Sequence, residues 1–159
     1  MIGTISLLGL GAIVIPFVVA LIIVVSPQPY AKWLCIGAAS VSTALTIAVW
    51  AMLAQNGGET VTVALASMGN ATILSLIFDK MSVMLATAFV GIGLLISIYS
   101  VGYMNAGNRE HPDAPRRRFY AFFTVFIGAM AGLVYSDTLV CQLVFFEITG
   151  ACSWALIGY

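Results

Sequence analysis

One acidic residue of this sequence lies where a charge is costly. Glu147 follows the apolar run LVFF and precedes Ile148, inside a stretch long enough to form a membrane-spanning helix. A carboxylate at the centre of such a helix costs on the order of 2.5–3.5 kcal/mol to insert, so it normally faces a bundle interior, pairs with a cation or lines a water path. Glu147 is therefore the predicted residue of a proton or ion relay. The alternative is a protonated side chain that only hydrogen-bonds to a neighbouring helix.

The surroundings of Glu147 favour the approach of another helix or of water. Gly150 and Ala151, three and four positions later, share its helix face, and small residues permit close contact there. Each lysine and arginine of the chain lies in a predicted loop or at a predicted helix end. A cation that pairs with Glu147 is therefore expected outside these 159 residues.

The other reactive side chains form no site pattern. His111 stands alone beside Glu110 and Asp113, which is weak evidence for a metal or a proton relay. The cysteines lie in apolar runs without a CxxC pair, as small buried residues do: Cys35, Cys141 and Cys152. We therefore predict no catalytic residue, no metal site, no cofactor and no redox centre in this chain.

Two glycine patterns are typical of helix packing. Residues 128–132 form a GxxxG pattern, and Gly91 and Gly93 lie two positions apart, each inside a predicted helix. Small residues at such positions let helices approach closely in a membrane. Neither pattern follows a strand or opens a phosphate-binding loop, so nucleotide binding is not indicated.

Composition identifies lipid as the solvent of this chain. Hydrophobic residues make up 62% of the sequence and charged residues 8%, against roughly 25% charged residues in a soluble domain. The mean hydropathy is +1.09. A water-soluble fold of this size would leave much of that apolar sequence on its surface. The net charge is zero, so nucleic acid is not expected as a partner.

The hydropathy pattern predicts an all-α integral membrane protein with about five transmembrane helices. Their approximate ranges are 5–25, 33–53, 81–104, 119–135 and 138–159, and about 20 apolar residues are enough to cross a bilayer. Asp137 is a plausible N-cap of the fifth helix. Four aromatic residues near helix ends are expected in the interfacial belts: Trp33, Tyr103, Tyr120 and Tyr135.

The segment between the second and third helices has a different pattern. Residues 59–66 and 72–78 are rich in β-branched side chains and are separated by Met68, Gly69 and Asn70. This pattern predicts a short β-hairpin on the membrane surface, and an irregular loop is the alternative.

Loop charges predict the orientation in the membrane. Five of the six basic residues lie in the first and third loops, and the remaining one, Lys80, lies on the other side. The positive-inside rule then places the loop 105–118 in the cytoplasm and the N-terminus and the hairpin outside. In a bacterium this means a multi-pass protein of the inner (plasma) membrane with a periplasmic N-terminus. The third loop could also bind anionic lipid or a partner, although a topology signal alone explains its charge.

Five segments of the second half carry a resemblance to a known family. They are 78–82 (FDKMS), 98–104 (IYSVGYM), 118–122 (RFYAF), 128–134 (GAMAGLV) and 145–159 (FFEITGACSWALIGY). They resemble the antiporter-like, proton-conducting membrane subunits of complex I, Mrp antiporters and membrane-bound [NiFe] hydrogenases. The segment 108–112 (NREHP) and the Phe-Phe-Glu at 145–147 look most similar to hydrogenase-4 component D.

The resemblance implies a role in a larger assembly. Glu147 matches the family's helix-five glutamate, which pairs with a lysine on a later helix. The implied function is that of a non-catalytic subunit in a hydrogenase-4-type or complex I-type oxidoreductase complex, with other membrane subunits as partners and protons or sodium ions as the transported species. The alternatives are an Mrp-type cation/proton antiporter subunit and a structural membrane fragment without transport of its own. Because family members have about fourteen helices, we expect residues 1–159 to be a single membrane domain, the N-terminal part of a longer subunit.

Overall fold

The computed structural model describes residues 2–69, 71–104 and 116–158. These residues form five α-helices and one two-stranded antiparallel sheet. The elements in chain order are α1 (Ile2–Val25), α2 (Gln28–Gln55), β1 (Val61–Met68), β2 (Ala71–Phe78), α3 (Lys80–Tyr103), α4 (Arg116–Tyr135) and α5 (Leu139–Ile157). All five of these helices are long and apolar enough to cross a membrane. The predicted helices and hairpin are therefore confirmed.

The expected helix boundaries agree with the structure to within three residues, with one exception. Helix α2 begins at Gln28, whereas the sequence predicts its start near residue 33. Pro29 occupies the first turn of α2, where a backbone N–H has no helical acceptor and its loss costs nothing. A proline-rich connection therefore does not delay the start of this helix.

A proline inside α1 is accommodated by a neighbouring helix. Pro16 has no N–H, so the carbonyl of Ala12, four residues earlier, loses its usual helical partner. The hydroxyl of Ser42 in α2 donates a hydrogen bond of 3.1 Å to this Ala12 oxygen. Both Ala12 and Ser42 are fully buried, and no water would reach the carbonyl in a membrane. The Ser42 hydroxyl thus keeps α1 continuous and fixes α1 against α2.

The hairpin covers the end of the bundle at which α1 begins. Phe78 of β2 is fully buried, lies against Gly9 of α1, and packs on the ring of Tyr135 with 4.7 Å between the ring centroids. Strand β1, in contrast, is mostly exposed. The hairpin therefore seals one end of the helices with the apolar side of β2.

Two of the four expected belt residues are in the interior instead. Trp33 and Tyr103 are exposed, as expected. Tyr135 is fully buried because the hairpin folds over its end of α4, and the prediction for it was wrong. Tyr120 is also buried, and its hydroxyl donates to the Ser100 carbonyl of α3 at 3.3 Å. Position near a helix end does not distinguish a lipid-facing ring from one covered by another element.

The described basic residues segregate to the two ends of the bundle. Arg117 donates from Nη1 to the Ser26 carbonyl, just beyond α1, at 3.3 Å. Lys32 and Arg116 line one cavity at this same end. Lys80 lies beside Gly58, at the hairpin end. The segregation of charge on which the orientation depends is therefore present, although Arg109 lies outside the described residues.

Candidate functional site

Helix α5 is attached to the rest of the structure along one side only. Within the described residues its packing partners are α4 and strand β2. The side chains of α5 that become buried are Cys141, Thr149 and Cys152. The opposite side is a continuous exposed stripe at helical spacing, which we call the open stripe: Val140, Leu143, Val144, Glu147, Gly150, Ala151 and Trp154.

Glu147 lies at the middle of this open stripe. It is the ninth of the 19 residues of α5, about 12 Å along the axis from the first. The ring of Phe145 fits against Gly132 of α4, where no side chain occupies the space. Two residues correspond to about 200° around a helix, so Glu147 is directed almost opposite to Phe145. The Phe145–Gly132 contact therefore turns Glu147 away from the four other helices.

The space beside Glu147 is open. A Cβ placed on Gly150, one turn further on, would meet no other atom within 4 Å. Within the described part of the chain, no hydrogen bond or ion pair joins the Glu147 carboxylate to another side chain. The predicted access through Gly150 and Ala151 is thus available, but it leads outward from the five helices rather than into their interior.

The start of α5 differs from the prediction. The N-cap is Thr138, whose Oγ1 accepts a 3.4 Å hydrogen bond from the Cys141 N–H, so the expectation for Asp137 was wrong. Asp137 instead accepts a 2.9 Å hydrogen bond from the Ser75 hydroxyl of β2, and its own N–H donates to the Ser75 carbonyl at 2.9 Å. The Thr138 hydroxyl also donates to the Ile73 carbonyl at 2.6 Å. These bonds, which sequence reasoning missed, tie the hairpin to the α4–α5 turn and fix the direction in which α5 enters the membrane region.

The other described carboxylates have local structural roles or solvent exposure. Asp79 is the N-cap of α3 and forms a capping box with Ser82, accepting from its N–H at 2.8 Å. Hydrogen bonding from Ser82 lowers the pKa of the Asp79 carboxyl below its usual range. Glu59 is exposed ahead of β1. Glu147, in contrast, lies at the middle of an apolar helix and has no hydrogen-bond or ion-pair partner among the described residues.

No described basic residue lies at the depth of Glu147. The lysines and arginines in the ranges 2–69, 71–104 and 116–158 are near helix ends, as the preceding contacts place them. The same ranges contain no group of three potential metal ligands, and the three cysteines are buried and free. His111, Glu110 and Asp113 lie outside the described residues.

Comparison with known proteins gives relatives of one kind. Residues 66–120 match the family described as NADH-ubiquinone oxidoreductase (complex I), chain 5 N-terminus. The NAD(P)H-quinone oxidoreductase chain 5 of Synechocystis is 32% identical over 126 residues, which is 79% of this chain and 17% of that protein. Subunit L of the Mycobacterium tuberculosis NADH-quinone oxidoreductase is 41% identical over 81 residues, 51% of this chain and 12% of that protein. The Na⁺/H⁺ antiporter subunit A1 of Staphylococcus haemolyticus is 33% identical over 84 residues, 53% of this chain and 10% of that protein.

The chain is thus a relative of the antiporter-like membrane subunits. This confirms the resemblance drawn from residues 78–159, and it agrees with five helices that are able to cross a membrane. The chain spans about a sixth or less of the length of the curated relatives that it matches. The family match covers the end of β1, then β2, α3 and the start of α4, and Glu147 lies beyond it. Similarity to hydrogenase-4 component D stays a prediction.

Proposed function

We propose that this antiporter-like chain contributes to proton translocation, within a hydrogenase-4-type or complex I-type oxidoreductase complex, through the carboxylate of Glu147. The observation that carries the proposal is the position of Glu147 at the middle of an apolar helix, on the face that the described residues leave uncovered. A charge in that position is too costly to be left in lipid without a partner. The sequence similarity to NAD(P)H-quinone oxidoreductase chain 5 supports the same proposal.

The open stripe of α5 requires a second surface. Its large apolar side chains, such as Leu143 and Trp154, are 57% and 79% exposed, and they flank Glu147 on both sides. A further helix packed there would cover the carboxylate, and the small Gly150 and Ala151 would let its backbone come close. The resemblance implies that this helix supplies a lysine, either from a later part of the same subunit or from a partner membrane subunit.

Such an arrangement can move a proton. A covered carboxylate favours its protonated form when it is alone and its charged form when a cation lies beside it. Displacement of the cation therefore changes the proton occupancy of Glu147. The role of this chain is then to hold the carboxylate at mid-membrane depth, while the redox chemistry belongs to other subunits.

An Mrp-type cation/proton antiporter subunit is the second candidate. The relative from Staphylococcus haemolyticus, which is named as an antiporter subunit, supports it. A carboxylate that exchanges protons against a nearby cation serves either assembly, so the geometry of α5 does not separate them. A purely structural membrane piece, in which Glu147 only hydrogen-bonds to a neighbouring helix, is the third.

The composition of the native complex separates the candidates. We expect the intact protein, purified from its own membrane in mild detergent, to bring with it redox subunits and further antiporter-like subunits. A set of small membrane subunits without any redox protein would instead identify the Mrp-type assembly. Recovery of the protein without either set of partners would contradict both transport proposals.

We also propose that the loop 105–118 and the end of the bundle with Arg117 face the cytoplasm, and that the hairpin faces the periplasm of an inner membrane. Gln28 and Ser67 are exposed and lie at opposite ends of the bundle. Single cysteines at these two positions, in a protein that lacks its three native cysteines, should react with a membrane-impermeant thiol reagent from opposite sides. If Ser67→Cys reacts only after the reagent gains access to the cytoplasmic side, the orientation is the opposite of the one proposed.

A further inference from the structure

An apolar groove lies between α1 and α4 on the outer surface of the bundle. Its volume is about 370 Å³. Phe17, Leu21 and Val24 of α1 form one wall, and Phe122 and Val125 of α4 form the other. From residue 17 to residue 24 the groove extends about 10 Å along α1, since an α-helix rises 1.5 Å per residue. The groove is therefore long enough to hold the upper part of an acyl chain.

The groove is closed at its deep end and open towards the arginine-rich end. A Cβ on Gly128 of α4 would lie 2.9 Å from the Ile13 carbonyl oxygen and 3.0 Å from the Pro16 Cβ, so the two helices are in close contact there. The groove lining runs from this contact to the arginines, with the buried Ala20 and Ala121 among its residues. This shape is that of a slot which an extended apolar chain enters from the membrane surface.

Two arginines stand at the open end of the groove. Arg117 and Arg118 both line it, and none of its described lining residues is acidic. Arg117 is half-buried, and its bond to the Ser26 carbonyl fixes the guanidinium at the groove entrance. A guanidinium has five N–H donors, and the bond to Ser26 uses one of them. Donors therefore remain for a further acceptor, and phosphate oxygens match the planar donor geometry of arginine.

We propose that this groove binds one anionic phospholipid, with an acyl chain between α1 and α4 and the phosphodiester at Arg117 and Arg118. An apolar slot that ends in two cations matches a molecule with an apolar chain and an anionic head. An apolar transmembrane helix of a partner would fill the slot but leave the two arginines without a counter-charge. A net negative headgroup is favoured over a zwitterionic one, because the zwitterion carries its own cation beside the phosphate. Basic pockets between transmembrane helices are a known mode of lipid headgroup recognition.

The test is lipid retention by the full-length protein purified from its membrane. The protein is exchanged into nanodiscs that contain equal amounts of phosphatidylglycerol and phosphatidylcholine, stripped with mild detergent, and analysed by native mass spectrometry. Wild type should retain phosphatidylglycerol in preference. Each basic residue near the headgroup strengthens binding by roughly fivefold, so retention should fall about fivefold in Arg118→Gln and about 25-fold in Arg117→Gln/Arg118→Gln.

Matched variants separate this site from a general effect of charge or bulk. Lys32→Gln removes one charge at the same end of the bundle but outside the groove, and it should retain the lipid. Leu21→Trp should fill the slot and release the lipid, whereas Leu7→Trp, on a similarly exposed position of α1 outside the groove, should not. Equal retention by wild type and by both arginine variants would overturn the proposal. So would equal retention of the two lipids, or a loss in Lys32→Gln as large as that in Arg118→Gln.

Discussion

Replacing Glu147 by glutamine in the complete complex should lower proton translocation about tenfold or more, which corresponds to about 1.4 kcal/mol or more on the limiting barrier. Glutamine keeps the size and hydrogen-bonding capacity of the side chain but cannot exchange a proton. Because Glu147 makes no contact that holds the described helices together, the complex should still assemble. Proton movement in vesicles, measured per electron transferred, gives the effect directly.

The matched control is Glu59→Gln, which removes a carboxylate that is exposed ahead of β1. It should translocate protons at the wild-type rate. If Glu147→Gln assembles and also translocates protons like wild type, Glu147 is a packing residue and the proposed function of this chain is wrong. Failure of Glu147→Gln to assemble would likewise contradict the account, since it would assign the carboxylate a structural role.

Replacing Gly128 by leucine should lower the free energy of unfolding by roughly 1–3 kcal/mol, as overpacking of a close contact does. The new side chain would start from a Cβ that already lies 2.9 Å from the Ile13 carbonyl oxygen. That oxygen belongs to the backbone of α1, so it cannot rotate away, and the helices must separate. Denaturation of the purified protein in detergent, with the helical signal as readout, measures the loss.

Gly91→Leu is the control because a Cβ at Gly91 would meet no atom within 4 Å. Its effect should stay within about 0.5 kcal/mol, as for an uncrowded surface position. Equal losses in the two variants would mean that the cost comes from replacing a helical glycine as such. The tight α1–α4 contact at Gly128 would then contribute nothing to stability.

The number and positions of the helices could be predicted because length and hydropathy are sufficient for that purpose in a membrane. Which face of each helix packs against a neighbouring helix could not be predicted. Helix α5 has four polar side chains, and Glu147 lies on a different face from the other three, so no single polar face indicates which side packs on α4: Gln142, Glu147, Thr149 and Ser153. The deciding contact is Phe145 against Gly132, and it depends on the relative position of two helices that the sequence pattern leaves free.

The glycines illustrate the same limit. Gly93 receives the side chain of Ile127 and Gly128 receives the backbone of α1, as the packing interpretation predicts. Gly91, two residues from Gly93, faces open space, so the prediction of a packing role is wrong for it among the described residues. The spacing of the glycines identified the helices that carry small residues, but it did not identify the faces on which these helices contact each other.

The hairpin explains two further differences. Its two strands were predictable from β-branched residues, but the place where it folds back was not. Because β2 lies over the bundle end, Tyr135 is buried under Phe78. The Asp137 carboxylate accepts a hydrogen bond from Ser75 and does not cap α5. Both errors have one cause: a long-range contact replaced a local role that the sequence alone made plausible.

The most direct test of the central claim is an infrared difference spectrum of the intact complex between its resting and energised states. If Glu147 exchanges a proton during transport, the wild-type spectrum should contain a carboxyl C=O band change. This change should persist in Glu59→Gln and disappear in Glu147→Gln. The same carboxyl band change in Glu147→Gln as in wild type would show that another group carries the proton, and it would contradict the account.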